Sequence, residues 1–299
     1  MSTNPFIQDI KNQYKNGSAL IKLILINVAV FLLVHIIGVL LFFFNIKNGS
    51  DFIAYWLSLP ADFTNVITKP WTILSYMFLH TSLWHILMNM LILYFGGRIF
   101  IQFLNEKKLV STYLLGGLTG GLIYILAFNL FPVFSQIKGM SIALGASASV
   151  MAVLIAAATY VPNFVVRLMF LGNVKLKHIA LFYIVLDVVS IPKGNAGGHI
   201  AHIGGALFGF LYVQQLKKGN DFAAGFSRFL ELLNNLFKPK KKMKVVYKKT
   251  AKSRNDYEYN AQKNANQAKI DAILDKISKS GYDSLSKEEK AILFEQSKK

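Results

Sequence analysis

Long apolar runs separated by short polar breaks fill the first two thirds of this chain. A bilayer core of about 30 Å is crossed by roughly 20 apolar residues in a helix rising about 1.5 Å per residue. Six runs reach or approach that length: residues 20 to 44, 72 to 97, 109 to 130, 141 to 161, 174 to 191 and 198 to 216. The fifth is short and carries Asp187 near its end, so a five-span reading stands beside the six-span one. The long first loop, residues 45 to 70, predicts a partial cover over one end of the bundle. The pattern therefore predicts an all-α membrane protein with six transmembrane helices.

After residue 217 the pattern changes. Phe222, Phe226, Phe229, Leu230, Leu233, Leu236 and Phe237 recur at helical spacing on one side, which predicts an interfacial amphipathic helix. From Lys238 to Arg254 come nine basic residues and no acidic ones. Further on, Ile270, Ile273, Leu274 and Ile277 share a helix face, Gly281 stops it, and Ser286 with Glu289 reads as a capping box. The chain thus divides into an N-terminal segment, 1–19; a six-span domain, 20–217; an interfacial and polybasic segment, 218–254; and a small helical hairpin, 255–299.

Composition agrees with a polytopic membrane protein: 54% of residues are hydrophobic, 16% are charged, and mean hydropathy is +0.41. The first span is too long for a signal-peptide core and is expected to be retained. Basic residues mark the retained side of a membrane. Of 33 Lys and Arg, only Lys47, Lys69, Lys138 and Lys193 fall in loops on the other side. Both termini are therefore expected in the cytoplasm, with a bacterial cell inner membrane as the expected location. Beside a membrane the polybasic stretch suits anionic lipid at the cytoplasmic face. No recognition element for nucleic acid accompanies it, so none is expected as a partner. With no cysteine, the chain has no disulfide, thiolate metal site or cysteine nucleophile.

Polar groups inside spans are costly, so each is a candidate for chemistry. The second span contains His80, His85 and Asn89, the last two on one helix face. The fourth carries Gly145, Ala146, Ser147 and Ala148, and the sixth carries His199, His202, Gly204 and Gly205. A lone intramembrane Ser or His is ordinarily structural. Together they supply a nucleophile, a base and oxyanion donors, which acyl transfer requires. Ser147 is expected about one to two turns below the outer end of its helix, close to His202. His202, Gly205, Ala206 and Gly209 form a stripe on which the sixth span can pack tightly against Ala148 and Ala152 of the fourth. Gly116, Gly117, Gly120 and Gly121 predict another close crossing in the third span.

The spacing of His80, His85 and Asn89, followed by Gly145-Ala-Ser147 and Ala201-His202-Ile-Gly-Gly205, resembles the rhomboid family of intramembrane serine proteases over residues 65–215. The resemblance implies a six-helix rhomboid bundle with a cytoplasmic C-terminal tail, acting on transmembrane protein substrates without a cofactor or metal. It implies Ser147 as nucleophile and His202 as general base in a dyad. It further implies His85 and Asn89 as oxyanion donors, His80 as a structural residue and Gly145 as support. Ala148 stands where the family usually has Gly, Met151 where an aromatic often stacks on the base, and Thr72 where Arg usually follows Trp71. The Glu often found after the second span is missing near Phe100 and Ile101. The order Ser147, Asp187, His202 is also that of a hydrolase triad. Since the family dyad works without an acid, Asp187 reads first as a helix-end or inter-span polar contact. A silent rhomboid-like protein that binds transmembrane helices would lack Ser147 or His202. A small transporter would show broken helices or repeated halves, which are not seen.

Overall fold

The computed structural model of the chain describes residues 17–46, 49–169, 172–237 and 256–296. It is 78% helical. Two units divide at Lys238. The polybasic stretch from Lys238 to Arg254, like most of the N-terminal segment, lies outside the described residues.

The first unit opens with α1 (Ala19–Phe43), capped by Ser18, whose Oγ accepts from the Ile21 amide at 3.4 Å. The first loop is built rather than loose: α2 (Gly49–Leu57), β1 (Leu59–Pro60), α3 (Phe63–Thr68) and α4 (Thr72–Ser75) fold over one end. Asp62 caps α3 through the Thr64 amide at 2.9 Å. Two long helices follow, α5 (Leu83–Phe103) and α6 (Glu106–Leu130). Then come β2 (Ile142–Ala143), α7 (Ser147–Tyr160), the antiparallel pair β3 (Val165–Leu168) and β4 (Gly172–Lys175), α8 (Leu176–Ser190) and α9 (Ala196–Lys217). The unit ends with α10 (Ala223–Phe237).

Among the described residues, four helices are long and apolar enough to cross a membrane: α1, α5, α6 and α9. The expected fourth and fifth spans are shorter helices, of 14 and 15 residues. Helix α7 is enclosed, since every residue from Ala148 to Ala158 is buried.

Two expected boundaries move. The second span was expected from residue 72, but Thr72–Phe78 forms a short helix and a 3-10 turn, and α5 begins only at Leu83. His80 therefore sits in the turn ahead of the helix. The fourth span was expected from residue 141, but Ile142 and Ala143 pair with Pro60 and Leu59 as a small sheet, so α7 starts at Ser147. Apolar residues in a short bridge look like helix to a hydropathy pattern, and the two small sheets qualify the all-α expectation.

The expected close crossings are present. A Cβ added to Gly205 of α9 would lie 2.0 Å from the Ala148 carbonyl oxygen, and one on Gly209 would lie 2.2 Å from that of Ala152. On α6, a Cβ at Gly116 would meet Ala152 Cβ at 2.1 Å, and one at Gly120 would lie 2.6 Å from Ala148 Cβ. Helix α7 is thus held between two glycine-lined faces.

The second unit contains α11 (Asp256–Ser280) and α12 (Lys287–Gln296), joined through Gly281 at φ 77°. Ser286 and Glu289 form the reciprocal cap: the Ser286 amide donates to Glu289 Oε2 at 2.7 Å, and the Glu289 amide donates to Ser286 Oγ at 3.2 Å.

Candidate active site

Ser147 is the first residue of α7, not one or two turns inside it. Its own N–H therefore belongs to the first helical turn, where amides lack intrahelical acceptors and the helix dipole is positive. The approach to it is fixed by Gly145, at φ 116°, a conformation that side chains rarely adopt. The Gly145 amide donates to the Tyr76 carbonyl at 2.9 Å, and the Tyr76 hydroxyl donates to the Gly117 carbonyl at 2.6 Å. Glycine is needed here for space as well, since a Cβ at 145 would sit 2.6 Å from His85 Cε1.

His80, His85 and Asn89 converge on the same loop. The Ala146 amide donates to His80 Nε2 at 3.3 Å, and Asn89 Nδ2 lies 3.3 Å from the same nitrogen. Because a backbone amide can only donate, Nε2 of His80 is an acceptor and the ring proton resides on Nδ1. Asn89 also donates to the His85 carbonyl at 3.0 Å. Both its N–H bonds are thus engaged, and in this state it braces His80 and the α5 backbone. The His85 ring packs edge-on to His80, with centroids 5.1 Å apart, and covers Gly145. His80 and Asn89 are buried, whereas His85 and Ser147 are half-buried and reachable. The supporting groups are enclosed, and the groups suited to react keep partial exposure.

His202 sits in the second turn of α9, also half-buried. Gly120 and Gly205 hold the Ala148 backbone against the turn from Ala201 to Gly205, which brings the residue after Ser147 beside the residues flanking His202. No hydrogen bond joins Ser147 Oγ to His202 among the described residues. Such bonds are often long in a resting enzyme and tighten with substrate. Asp187, in the last turn of α8, accepts from His202 Nδ1 at 2.9 Å and from His199 Nδ1 at 2.8 Å through the same Oδ1. The inter-span polar contact read from the sequence exists, and its partner is the candidate base.

Sequence reasoning missed one contributor, Tyr76, and the partner of His199. Tyr76 carries no signal beyond being an aromatic in an apolar run, yet it ties α6 to the Gly145 loop. His199 stands three residues before His202 on the same face, a spacing that could have flagged it as a second partner for one acid.

The family model described as Rhomboid domain matches residues 68–218, and a Family of unknown function (DUF6576) matches residues 255–299. The chain is 32% identical over 169 residues to the human "Presenilin-associated rhomboid-like protein, mitochondrial", covering 54% of this chain and 41% of that protein. It is 29% identical over 164 residues to the "Presenilin-associated rhomboid-like protein A, mitochondrial" of Danio rerio, covering 54% of this chain and 40% of the relative. It is 28% identical over 158 residues to "RHOMBOID-like protein 12, mitochondrial" of Arabidopsis thaliana, covering 50% and 47%. The chain thus spans less than half the length of these curated relatives. Their mitochondrial names overturn the bacterial inner membrane expected above. Lysine and arginine asymmetry reads which ends share a side, and it carries no label for the membrane itself.

Proposed function

Since this chain belongs to the rhomboid family, we propose that it is an intramembrane serine protease in which Ser147 is the nucleophile and His202 the general base. The observation that carries this reading is the contact of Gly205 with the Ala148 carbonyl, which leaves no room for a side chain between the helix bearing the hydroxyl and the helix bearing the imidazole. Rhomboid proteins act on membrane-protein substrates in a lipid bilayer. A segment unwound from a substrate's transmembrane helix is the species that Ser147 could attack, because a helical peptide keeps its carbonyls in its own hydrogen bonds.

In the first step Ser147 Oγ bonds to the scissile carbonyl carbon while its proton passes to His202 Nε2. The oxygen, now negative, faces the N–H of Ser147 and the positive end of α7, with the His85 ring as a further donor across Gly145. Collapse breaks the C–N bond, and His202 returns its proton to the departing amine. Water then attacks the ester, giving its proton to His202, which passes it back to Ser147 Oγ as the acid leaves. Asn89 serves through His80 and the loop in the resting state, and it becomes an oxyanion donor only by releasing one of its two present bonds.

The six-span bundle is completed in this reading by α7 and α8. Helix α8 exposes Leu181, Phe182, Val185, Leu186, Val188 and Val189, an apolar face suited to lipid despite its 15 residues. Helix α7, shielded by its neighbours, needs no lipid-facing surface. Both ends of the bundle then share the basic side of the membrane, where Lys238 to Arg254 would meet anionic lipid. The test is cleavage of a single-span substrate by the full chain in proteoliposomes. Ser147→Ala and His202→Ala are each expected to abolish turnover while the protein stays folded, and retained cleavage by folded Ser147→Ala refutes the reading.

A further inference from the structure

The carboxylate of Asp187 is the most enclosed member of a three-residue cluster, with its side chain 8% exposed against 21% for each histidine. A buried carboxylate needs donors, and two backbone amides would serve as well as two imidazoles. What is specific here is which ring nitrogens are used. Both contacts run from Nδ1 to one oxygen, Oδ1, at 2.8 and 2.9 Å.

We infer that Asp187 is a positioning residue that fixes the tautomer and orientation of His202, with His199 as the second arm of the same clamp. A carboxylate oxygen can only accept, so each Nδ1 carries a proton. In a neutral imidazole that leaves Nε2 with a free lone pair, and Nε2 is the atom that must take the proton from Ser147. The opposite tautomer would present an N–H to the hydroxyl and could not act as a base. When His202 becomes positively charged in the tetrahedral intermediate, the same carboxylate lies 2.9 Å from it.

The backbone explains why the contact forms. His199 and His202 are three apart on the first two turns of α9, so their rings share a face. The link from α8 is short: a 3-10 turn over Ile191–Lys193, then Gly194 at φ 126° and Asn195 at φ 49°. Asn195 caps α9 by accepting from the Gly198 amide at 3.3 Å. That reversal returns the start of α9 past the end of α8, opposite Asp187. His202 thus takes its orientation from a hydrogen bond across the α8–α9 turn.

This inference rests on the protease reading above, and the experiment separates the two. The full chain, with 15N-labelled histidine, is compared with Asp187→Asn, Asp187→Glu and Ser147→Ala in detergent for cleavage of a single-span substrate and for its histidine nitrogen spectrum. In the wild type the His202 signals should be those of a ring protonated at Nδ1, an observation that requires no variant to fold. Asp187→Asn should lower kcat by about 100-fold or more with KM unchanged, since a correctly presented base contributes on the order of 100-fold to 10,000-fold, and Asp187→Glu should recover at least about tenfold of that loss. Wild-type His202 protonated at Nε2, or folded Asp187→Asn retaining kcat within about tenfold, overturns the inference while leaving the protease reading intact. Cleavage that survives Ser147→Ala overturns the protease reading itself.

Discussion

Gly205→Ala is the sharpest structural perturbation of the proposed dyad that touches neither reacting group. The added Cβ would lie 2.0 Å from the Ala148 carbonyl oxygen, 2.8 Å from its carbon and 3.1 Å from its Cα. All three are backbone atoms, so no side-chain rotation relieves the overlap. Ordinary contact begins near about 3.4 Å, so α7 and α9 must separate by roughly 1.4 Å at this point. Ser147 precedes the struck residue by one and His202 precedes the mutated one by three, so the separation is passed directly to hydroxyl and imidazole. A misplacement of about 1 Å between reacting groups costs on the order of 100-fold in rate. Overpacking should also cost about 1–3 kcal/mol of stability. The assay is turnover of a single-span substrate, normalised to folded protein by size exclusion and thermal unfolding. Gly139→Ala, where an added Cβ meets nothing within 4 Å, is the control and should match the wild type. Folded Gly205→Ala that turns over within about threefold of wild type would refute the tight-crossing argument.

Further outcomes follow from other parts of the chain. Deleting residues 255–299 should leave turnover in detergent within about twofold of wild type, because the mechanism draws on no side chain of the second unit; a loss of activity would make that unit part of the enzyme. Micromolar Zn2+ should inhibit reversibly and be relieved by EDTA, since Asp187, His199 and His202 each offer a ligand atom within 4.8 Å of the other two, and both Nδ1 atoms already lie on Asp187 Oδ1. A metal bound at Nδ1 forces the His202 proton onto Nε2, and His199→Ala should weaken the inhibition; Zn2+ without effect on turnover would count against this arrangement of nitrogens.

How far the sequence could be read depended on whether a feature was local. The long apolar helices α1, α6 and α9 need only a run of residues facing lipid or other helices, and hydropathy sees that directly. The α6 and α9 glycines were legible for a similar reason: small residues clustered on one helix face have little use except a close approach. The start of α7 was not, because Ser-Ile-Ala-Leu-Gly-Ala is as apolar as a helix, while its conformation is decided by strand pairing with Leu59 and Pro60 and by the turn at Gly145. That one displacement changes the chemistry, moving Ser147 from within a helix to its amino end. Helices α2 and α3 and the β3–β4 pair were missed, since short amphipathic pieces in loops carry too few residues to show a period. The candidate site was legible as residue types in order. Which nitrogen of His80 accepts, what occupies Asn89, and where Asp187 points were not, because each is a contact between segments far apart or across a turn.

The claim that Ser147 is an activated nucleophile is tested most directly by treating the folded full chain with a fluorophosphonate and locating the adduct by peptide mass spectrometry. The account predicts a single phosphonylated residue, Ser147, with labelling lost in His202→Ala and blocked by prior heat unfolding. An adduct on another serine, or none on Ser147 in protein that cleaves substrate, would contradict it.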